Sequence, residues 1–148
     1  MVICRFEPLS YLLLHGLPDL AYEMWVESEV KHKHAVYGPD WEAYQALQDK
    51  DILRFIAMRE DGNLIGYVSI VIETYTQQAD LLMASFRDIF VAASKRGYAA
   101  KLVRFAERQL SELGVKRVLG GARTERQQKF WMALDYAPQE TILGKTIN

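Results

Sequence analysis

Hydrophobic residues recur every three or four positions along four parts of the chain, the spacing that gathers them on one face of a helix. The clearest case is residues 97–113, whose apolar face is followed by Gly114, a typical residue just beyond a helix end. Pro18 suits the first turn of another helix. Helices are therefore predicted at residues 17–33, 37–51, 97–113 and 125–136.

Between the second and third of these helices, the pattern changes to runs rich in β-branched and aromatic residues. Residues 52–60 and 64–73 are two such runs, and the Asp61-Gly62 pair between them is a strong hairpin signal. Residues 80–92 form a third run that is long enough for a strand. Further strands are predicted at residues 2–7, 115–120 and 140–147.

The predicted order of elements is β-α-α-β-β-β-α-β-α-β, and residues 80–120 form a β-α-β unit within it. The two strands of such a unit should be parallel, whereas the strands of a hairpin are antiparallel. The chain has 148 residues, half of them hydrophobic, which suits one domain with a core of its own. The sequence therefore predicts a single α+β domain over residues 1–148. Its central sheet is expected to be mixed, because it combines antiparallel strands with one parallel pair as in α/β proteins.

Composition narrows the classes of function. The net charge is −1, whereas a protein that wraps duplex DNA is usually more basic, so nucleic acid is an unlikely partner. Cys4 is the only cysteine, which rules out an internal disulfide and is compatible with a cytoplasmic location. No apolar run approaches the roughly 20 residues that span a bilayer, and no signal peptide or membrane segment is expected. His32 and His34 do not share a helix face, so no metal site is predicted.

Four cations stand near the start of the helix predicted at residue 97, and no Asp or Glu lies between Asp88 and Glu107 to balance them. A strand, a loop with small residues and a helix start together form an arrangement that binds phosphates through backbone N–H groups. The loop lacks the G-K-[ST] and G-x-G-x-x-G patterns of the common nucleotide loops. The cations either bind a phosphorylated ligand or are solvated surface residues. They are Lys95, Arg96, Lys101 and Arg104.

The segment "SKRGYA", Ser94 to Ala99, resembles the Q/R-x-x-G-x-G/A signature of the GNAT N-acetyltransferases. Gly97 and Ala99 fit the two small-residue positions, and Ser94 stands where the family usually has Gln or Arg. "FWMALDY", residues 130–136, looks like the family's late x-Y-x-x-x-G-F segment. The order of elements is similar to the GNAT, or acyl-CoA N-acyltransferase, fold over nearly the whole chain. The combination looks most like small bacteriophage-type members of the family.

The resemblance implies acetyl-CoA as the cofactor, with CoA as the product. In the family, the strand before the signature pairs its backbone with the pantetheine arm, and the residues at this place are Ile89, Phe90 and Val91. The signature loop and the helix start bind the pyrophosphate. The corresponding residues here are Ser94, Lys95, Arg96, Gly97, Tyr98, Ala99 and Lys101.

Acetyl transfer to an amine needs a base for the ammonium proton and an acid for the leaving thiolate. Asp88 is the predicted base, because it is an acid in an otherwise apolar strand and burial raises the pKa of a carboxyl group. The other interpretation of Asp88 is a structural ion pair. The family often has a Tyr as the acid in its late helix, at the position of Trp131. An indole is no acid, so Trp131 is expected to pack in the core, and Tyr136 or water is the predicted acid.

The resemblance also implies that the first two helices line the acceptor side, which makes Glu27 and Trp41 the predicted acceptor-binding residues. Tyr44, on the same helix as Trp41, belongs either to the wall of this pocket or to the core. The predicted function is acetyl-CoA-dependent transfer to a small-molecule or peptide amine, by direct attack in a ternary complex. The alternative is a catalytically weak or inactive GNAT-fold protein that binds a protein partner. Ser94, Trp131 and Asp135, which replaces the usual Gly, favour this alternative; many GNAT proteins are dimers, so a homodimer is a further expectation.

Overall fold

The computed structural model of the protein describes residues 1–28, 36–75 and 77–147. These residues form five strands and five α-helices, and a 3-10 helix joins the fourth strand to the fourth α-helix. In chain order, the elements are β1 (Val2–Phe6), α1 (Leu9–Leu14), α2 (Leu17–Glu27), α3 (Trp41–Asp49), β2 (Leu53–Glu60), β3 (Asn63–Tyr75), β4 (Gln78–Val91), the 3-10 helix (Ala93–Tyr98), α4 (Ala99–Glu112), β5 (Arg117–Leu119) and α5 (Glu125–Ala133).

The strands form one sheet in the order β1-β2-β3-β4-β5. β1 to β4 pair antiparallel with their neighbours, and β5 pairs parallel with β4. The hairpin at Asp61-Gly62 has both residues at positive φ, as a tight turn between twisted strands requires. The predicted α+β fold with a mixed sheet, including its parallel β-α-β unit, is therefore confirmed.

Hydrophobic cores lie on both faces of the sheet. On one face, α4 buries Leu102, Val103 and Leu110 completely, and α5 adds Trp131. On the other face, α1, α2 and α3 cover a second core that includes Phe90 of β4. Other buried residues of this core are Leu9, Leu12, Leu17, Phe55 and Tyr67. The buried side chains of β4 accordingly divide between two cores: Phe86 and Val91 belong to the first, and Phe90 belongs to the second.

β4 and β5 separate soon after they meet. β5 pairs only with Met83, Ala84 and Ser85, while β4 continues to Val91. β5 ends where Gly120 packs against Trp131, and a Cβ atom at Gly120 would lie only 2.6 Å from the indole ring. Within the described residues, no strand pairs with the β5-side edge of residues 86–91, so this stretch of main chain is open.

The structure corrects the predicted order at both ends of the chain. Residues 140–147 were predicted as a closing strand, but they have no regular structure, and Ile142 and Leu143 are exposed. Their alternating pattern suits a strand, yet a strand forms only where a neighbouring strand pairs with it. The six-residue helix α1 was not predicted, because Pro8 and Gly16 bound an apolar run too short to show a helical period.

The helix boundaries also differ from the prediction: α3 is shorter at both ends than residues 37–51, and α5 ends at Ala133 instead of residue 136. The helix predicted from residue 97 begins at Ala99, and the 3-10 helix fills the segment that was expected to be a loop. α2 ends at Glu27, earlier than predicted. Residues 29–33 of the predicted first helix lie outside the described residues, as do His32 and His34.

Candidate active site

A bulge in β4 positions the carboxylate that was predicted as the base. Ser69 of β3 pairs with Asp88, whereas the next residue, Ile70, pairs with Phe86, so Arg87 is an extra residue in the β4 strand. A bulge of this kind bends the strand and redirects side chains. Asp88 consequently faces the helices α1 to α3, on the side of the sheet where Tyr44 lies.

Hydroxyl groups hold the half-buried Asp88 carboxylate. Its Oδ2 atom accepts hydrogen bonds from Ser69 Oγ at 2.7 Å and from Tyr44 Oη at 3.0 Å. The backbone N–H of Asp88 donates in turn to Ser69 Oγ at 3.0 Å. Within the described part of the chain, no salt bridge engages Asp88, which argues against the interpretation of this residue as a structural ion pair.

The two phenols near Asp88 stay protonated. Burial, together with the charge and the hydrogen bond of Asp88, raises the pKa of Tyr44 to about 12. Burial, and then the charge of Asp88, also raises the pKa of Tyr67. Tyr44 is therefore a neutral hydrogen-bond donor at ordinary pH.

The carboxyl end of β4 leads directly into the candidate phosphate site. Ile89, Phe90 and Val91 pair their backbone with β3 on one side, and their other edge is the open one. Gly97 follows in the 3-10 helix, and a Cβ atom placed there would meet nothing within 4 Å. The segment therefore offers accessible main chain next to a helix start, as an anion site requires.

Carboxylates that lie far away in sequence pair with two of the cations in this segment. Lys95 Nζ is 2.5 Å from Glu60 Oε2, and the Arg96 guanidinium pairs with the carboxylate of Glu27. Glu60, and to a smaller extent the exposed Asp61, raise the pKa of Lys95. The expectation that no acid of the protein balances these cations is therefore wrong.

The remaining residues of the segment differ in their exposure. Lys101 is exposed, and its Nζ atom donates to the carbonyl oxygen of Val2 at 2.8 Å. Ser94 is also exposed, and the half-buried Tyr98 packs against the α4 core. Ala99 is the first residue of α4. Residues 94, 96, 97 and 101 of this segment are exposed. Lys95 and Arg96 are held by ion pairs that a stronger anion could replace.

The predicted acid lies on the other face of the sheet from the predicted base. Tyr136 Oη donates to Glu107 Oε2 of α4 at 3.1 Å, and its ring contacts Trp131. Burial, and then the charge of Glu107, raises the pKa of Tyr136. Asp88 faces α3 instead, so the structure does not bring the two predicted catalytic residues together, and a catalytic role for Tyr136 stays a prediction.

Trp131 packs in the core, as its sequence position suggested. Its Nε1 atom donates to Gly121 O at 2.9 Å, and its ring lies 5.3 Å from that of Phe86, centroid to centroid. Asp135 has φ +69°, the left-handed conformation that favours glycine. This conformation fits the glycine that the resembled family usually has at this position.

The two predicted acceptor-binding residues lie in different surroundings. Trp41 is in the first turn of α3, and its ring centroid is 5.5 Å from that of Tyr44, which bonds to Asp88. Glu27 instead joins the end of α2 to Arg96. Sequence reasoning missed Ser69, although a lone polar residue in the apolar run of β3 was a usable signal for it.

The sequence of this chain matches one known protein family. The pattern that defines the "Acetyltransferase (GNAT) family" matches residues 17–136. No curated protein sequence gives a significant match. No helix in the part of the chain that the structure describes is long and apolar enough to cross a membrane.

Similar solved structures cover nearly the whole chain at low identity. An aminoglycoside acetyltransferase from an uncultured soil metagenomic sample, in complex with sisomicin, has a TM-score of 0.76 at 14% identity, over 99% of this chain and 95% of that one. Glucosamine-6-phosphate N-acetyltransferase from Arabidopsis thaliana gives 0.75 at 13%, over 100% and 99%. A predicted acetyltransferase from Clostridium acetobutylicum, with acetyl-CoA, gives 0.77 at 10%, over 99% and 96%. These similarities show a common fold and give no support to the narrower likeness to bacteriophage-type proteins.

Proposed function

Because the chain belongs to the GNAT family of acetyltransferases, whose cofactor is acetyl-CoA, we propose that it transfers the acetyl group of acetyl-CoA to an amine by direct attack in a ternary complex. The observation that carries this proposal is the open edge of β4, which leads into accessible main chain at Gly97 and a group of cations. An extended amide-containing arm suits the edge, and a diphosphate suits the cations.

The residues present fit acetyl-CoA along the length of this site. Ile89, Phe90 and Val91 present an unpaired main-chain edge, and Gly97 lets an anion approach the backbone closely. Lys95, Arg96 and Lys101 supply positive charge, with the hydroxyl of Ser94 and the main chain at Tyr98 and Ala99 completing the proposed site. Ion pairs between side chains that stay partly in contact with water contribute little free energy, so a diphosphate can replace Glu60 and Glu27 as the partner of Lys95 and Arg96.

In the proposed reaction, the C–S bond of the acetyl thioester breaks and a bond forms between the acetyl carbon and the amine nitrogen. Asp88 takes the proton that the amine nitrogen loses, and the hydrogen bonds from Ser69 and Tyr44 fix the orientation of its carboxylate. The departing sulfur takes a proton from water or from Tyr136, the predicted acid. Trp41 lies beside Tyr44 and forms part of the wall that the acceptor meets.

Replacement of Asp88 by Asn tests the role of the base. The variant keeps the hydrogen bond from Tyr44 but cannot accept a proton, so the acetylation rate should fall by about 10²- to 10⁴-fold. The loss should be largest at low pH, where more of the acceptor amine is protonated. Asp80→Asn is the matched control, because Asp80 is an exposed carboxylate on the same strand. An unchanged pH–rate profile in Asp88→Asn would remove Asp88 from the mechanism.

The alternative function, binding of a protein partner with little or no catalysis, is favoured by one group of observations. The segment 140–147 exposes Ile142, Leu143 and Ile147 by more than four fifths each, at 85%, 88% and 82%. Release of CoA in the presence of an amine panel distinguishes the two functions, because a partner-binding protein would release none. A homodimer and a cytoplasmic location stay predictions, as does the organisation of residues 1–148 as one domain.

A further inference from the structure

The bulge in β4 places a cation and a carboxylate side by side against Tyr44 of α3, next to the predicted acceptor-binding residue Trp41. Arg87 is the extra residue of the bulge, and Asp88 follows it directly. The Arg87 guanidinium lies 5.8 Å from the centroid of the Tyr44 ring, and Tyr44 donates to Asp88. Arg87 and Asp88 therefore both reach the same residue of α3, although adjacent residues of a regular strand point to opposite faces.

Among the residues that the structure describes, Arg87 and Asp88 do not form an ion pair with each other. Asp88 accepts from two hydroxyl groups, and among the residues that the structure describes no carboxylate lies within ion-pair distance of Arg87. Arg87 is exposed, and its planar guanidinium presents several N–H donors in a fixed arrangement. The position of Arg87 beside a phenol ring limits the directions that this side chain can take.

We propose that Arg87 selects acceptors in which the reacting amine carries an anionic group, a carboxylate or a phosphate, a few bonds away. This inference rests on the proposed acetyl transfer. Asp88 receives the amine, and Arg87 binds the anionic group through charge-assisted hydrogen bonds, which a carboxylate and a phosphate can both accept. An acceptor with several ammonium groups would place a second positive charge against Arg87, which disfavours it.

Matched acceptor pairs and Arg87 variants test this selection. The pairs are glycine with glycinamide, which differ in one carboxylate charge, and glucosamine 6-phosphate with glucosamine, which differ in a phosphate that carries about 1.5 to 2 negative charges at pH 7. For each acceptor, kcat/KM of the wild type is divided by that of Arg87→Gln, so that differences in intrinsic amine reactivity cancel. The ratio should be about tenfold for the anionic member of a pair and below threefold for the neutral one. The acceptor pair that shows the larger ratio indicates whether Arg87 prefers a carboxylate or a phosphate.

Two further variants separate charge from structure. Arg87→Lys should retain most of the preference, and Arg87→Glu should reverse it, while a purely structural role would give equal losses for both members of each pair. Equal losses, or faster acetylation of a polyamine by the wild type than of any anionic amine, would overturn the inference and leave the proposed acetyl transfer in place. If the wild type acetylates no amine at all, the proposed function itself fails, and this inference fails with it.

Discussion

A negative charge at Gly97 should weaken acetyl-CoA binding by about 100-fold without unfolding the protein. Gly97 is exposed in the 3-10 helix, its φ lies outside the left-handed region, and a Cβ atom there would meet nothing within 4 Å. A side chain can therefore be added without strain or collision. Substitutions at such surface positions usually change the free energy of unfolding by less than about 0.5 kcal/mol. Gly97→Glu should accordingly unfold at the same denaturant concentration as the wild type.

The loss of affinity follows from Coulomb's law. A carboxylate on residue 97 would come within about 6 Å of a diphosphate bound over the main chain there. At an effective dielectric constant of about 40, between the values for water and for a protein surface, each pair of unit charges repels by about 1.4 kcal/mol. Two phosphate charges give about 3 kcal/mol, which corresponds to about 100-fold weaker binding. Salt should reduce the effect because the site is exposed.

Calorimetric titration of acetyl-CoA into wild type, Gly97→Glu and Gly97→Gln measures this loss. Glutamine has the shape of glutamate without its charge, so Gly97→Gln reports the steric part of the effect and should weaken binding much less. Circular dichroism and chemical unfolding show whether each variant is folded. Binding of acetyl-CoA to folded Gly97→Glu within threefold of the wild-type affinity would refute the assignment of this segment as the phosphate site.

Two other predictions concern ion pairs. Glu60→Gln removes the carboxylate that pairs with Lys95, so Lys95 is free to bind the diphosphate. Calorimetric titration should therefore show acetyl-CoA binding that is about two- to fivefold tighter. Weaker binding would mean that Glu60 instead positions Lys95. Glu7→Gln should destabilise the fold by about 3–5 kcal/mol in urea unfolding, because it leaves Arg59 buried without its two-bond partner. Arg5→Gln is its control, since Arg5 is exposed and pairs with the same carboxylate; equal effects of the two substitutions would contradict the argument.

The lowered pKa of Glu7 makes the free energy of unfolding depend on pH. Burial alone would raise its pKa, but hydrogen bonds from Arg59 and Arg5 lower the pKa below its usual value of 4.5. A carboxyl group whose pKa is lowered by folding stabilises the protein above its unfolded-state pKa and loses this contribution as the pH falls. The free energy of unfolding should therefore fall more steeply below pH 4.5 in the wild type than in Glu7→Gln. Parallel curves would exclude this contribution.

The sequence predicted those elements that depend on local pattern. The hairpin at Asp61-Gly62 follows from turn chemistry and formed where it was expected. α4 follows from its helical period and formed within two residues of its predicted ends. The strand predicted at residues 140–147 failed because pairing depends on a distant partner. α1 was missed because six residues are too few to establish a period.

The candidate site shows the same limit. Asp88 was identifiable from the sequence as an acid in an apolar strand. The position of Arg87 beside Tyr44 was not, because it results from the bulge, which depends on the register between β3 and β4. The pairing of Arg96 with Glu27 joins residues 69 positions apart, and no local pattern reports such a contact. Tyr44 was one of several aromatic candidates until its hydrogen bond to Asp88 distinguished it.

The melting temperature with and without acetyl-CoA tests most directly whether this chain binds acetyl-CoA at the junction of β4 and α4. At 100 times Kd, a ligand that binds only the folded state stabilises it by about 2.7 kcal/mol. For a domain of this size, that stabilisation raises Tm by about 5–10 °C. Acetyl-pantetheine, which lacks the diphosphate, should give little shift at the same concentration. No change in Tm at millimolar acetyl-CoA would contradict the account.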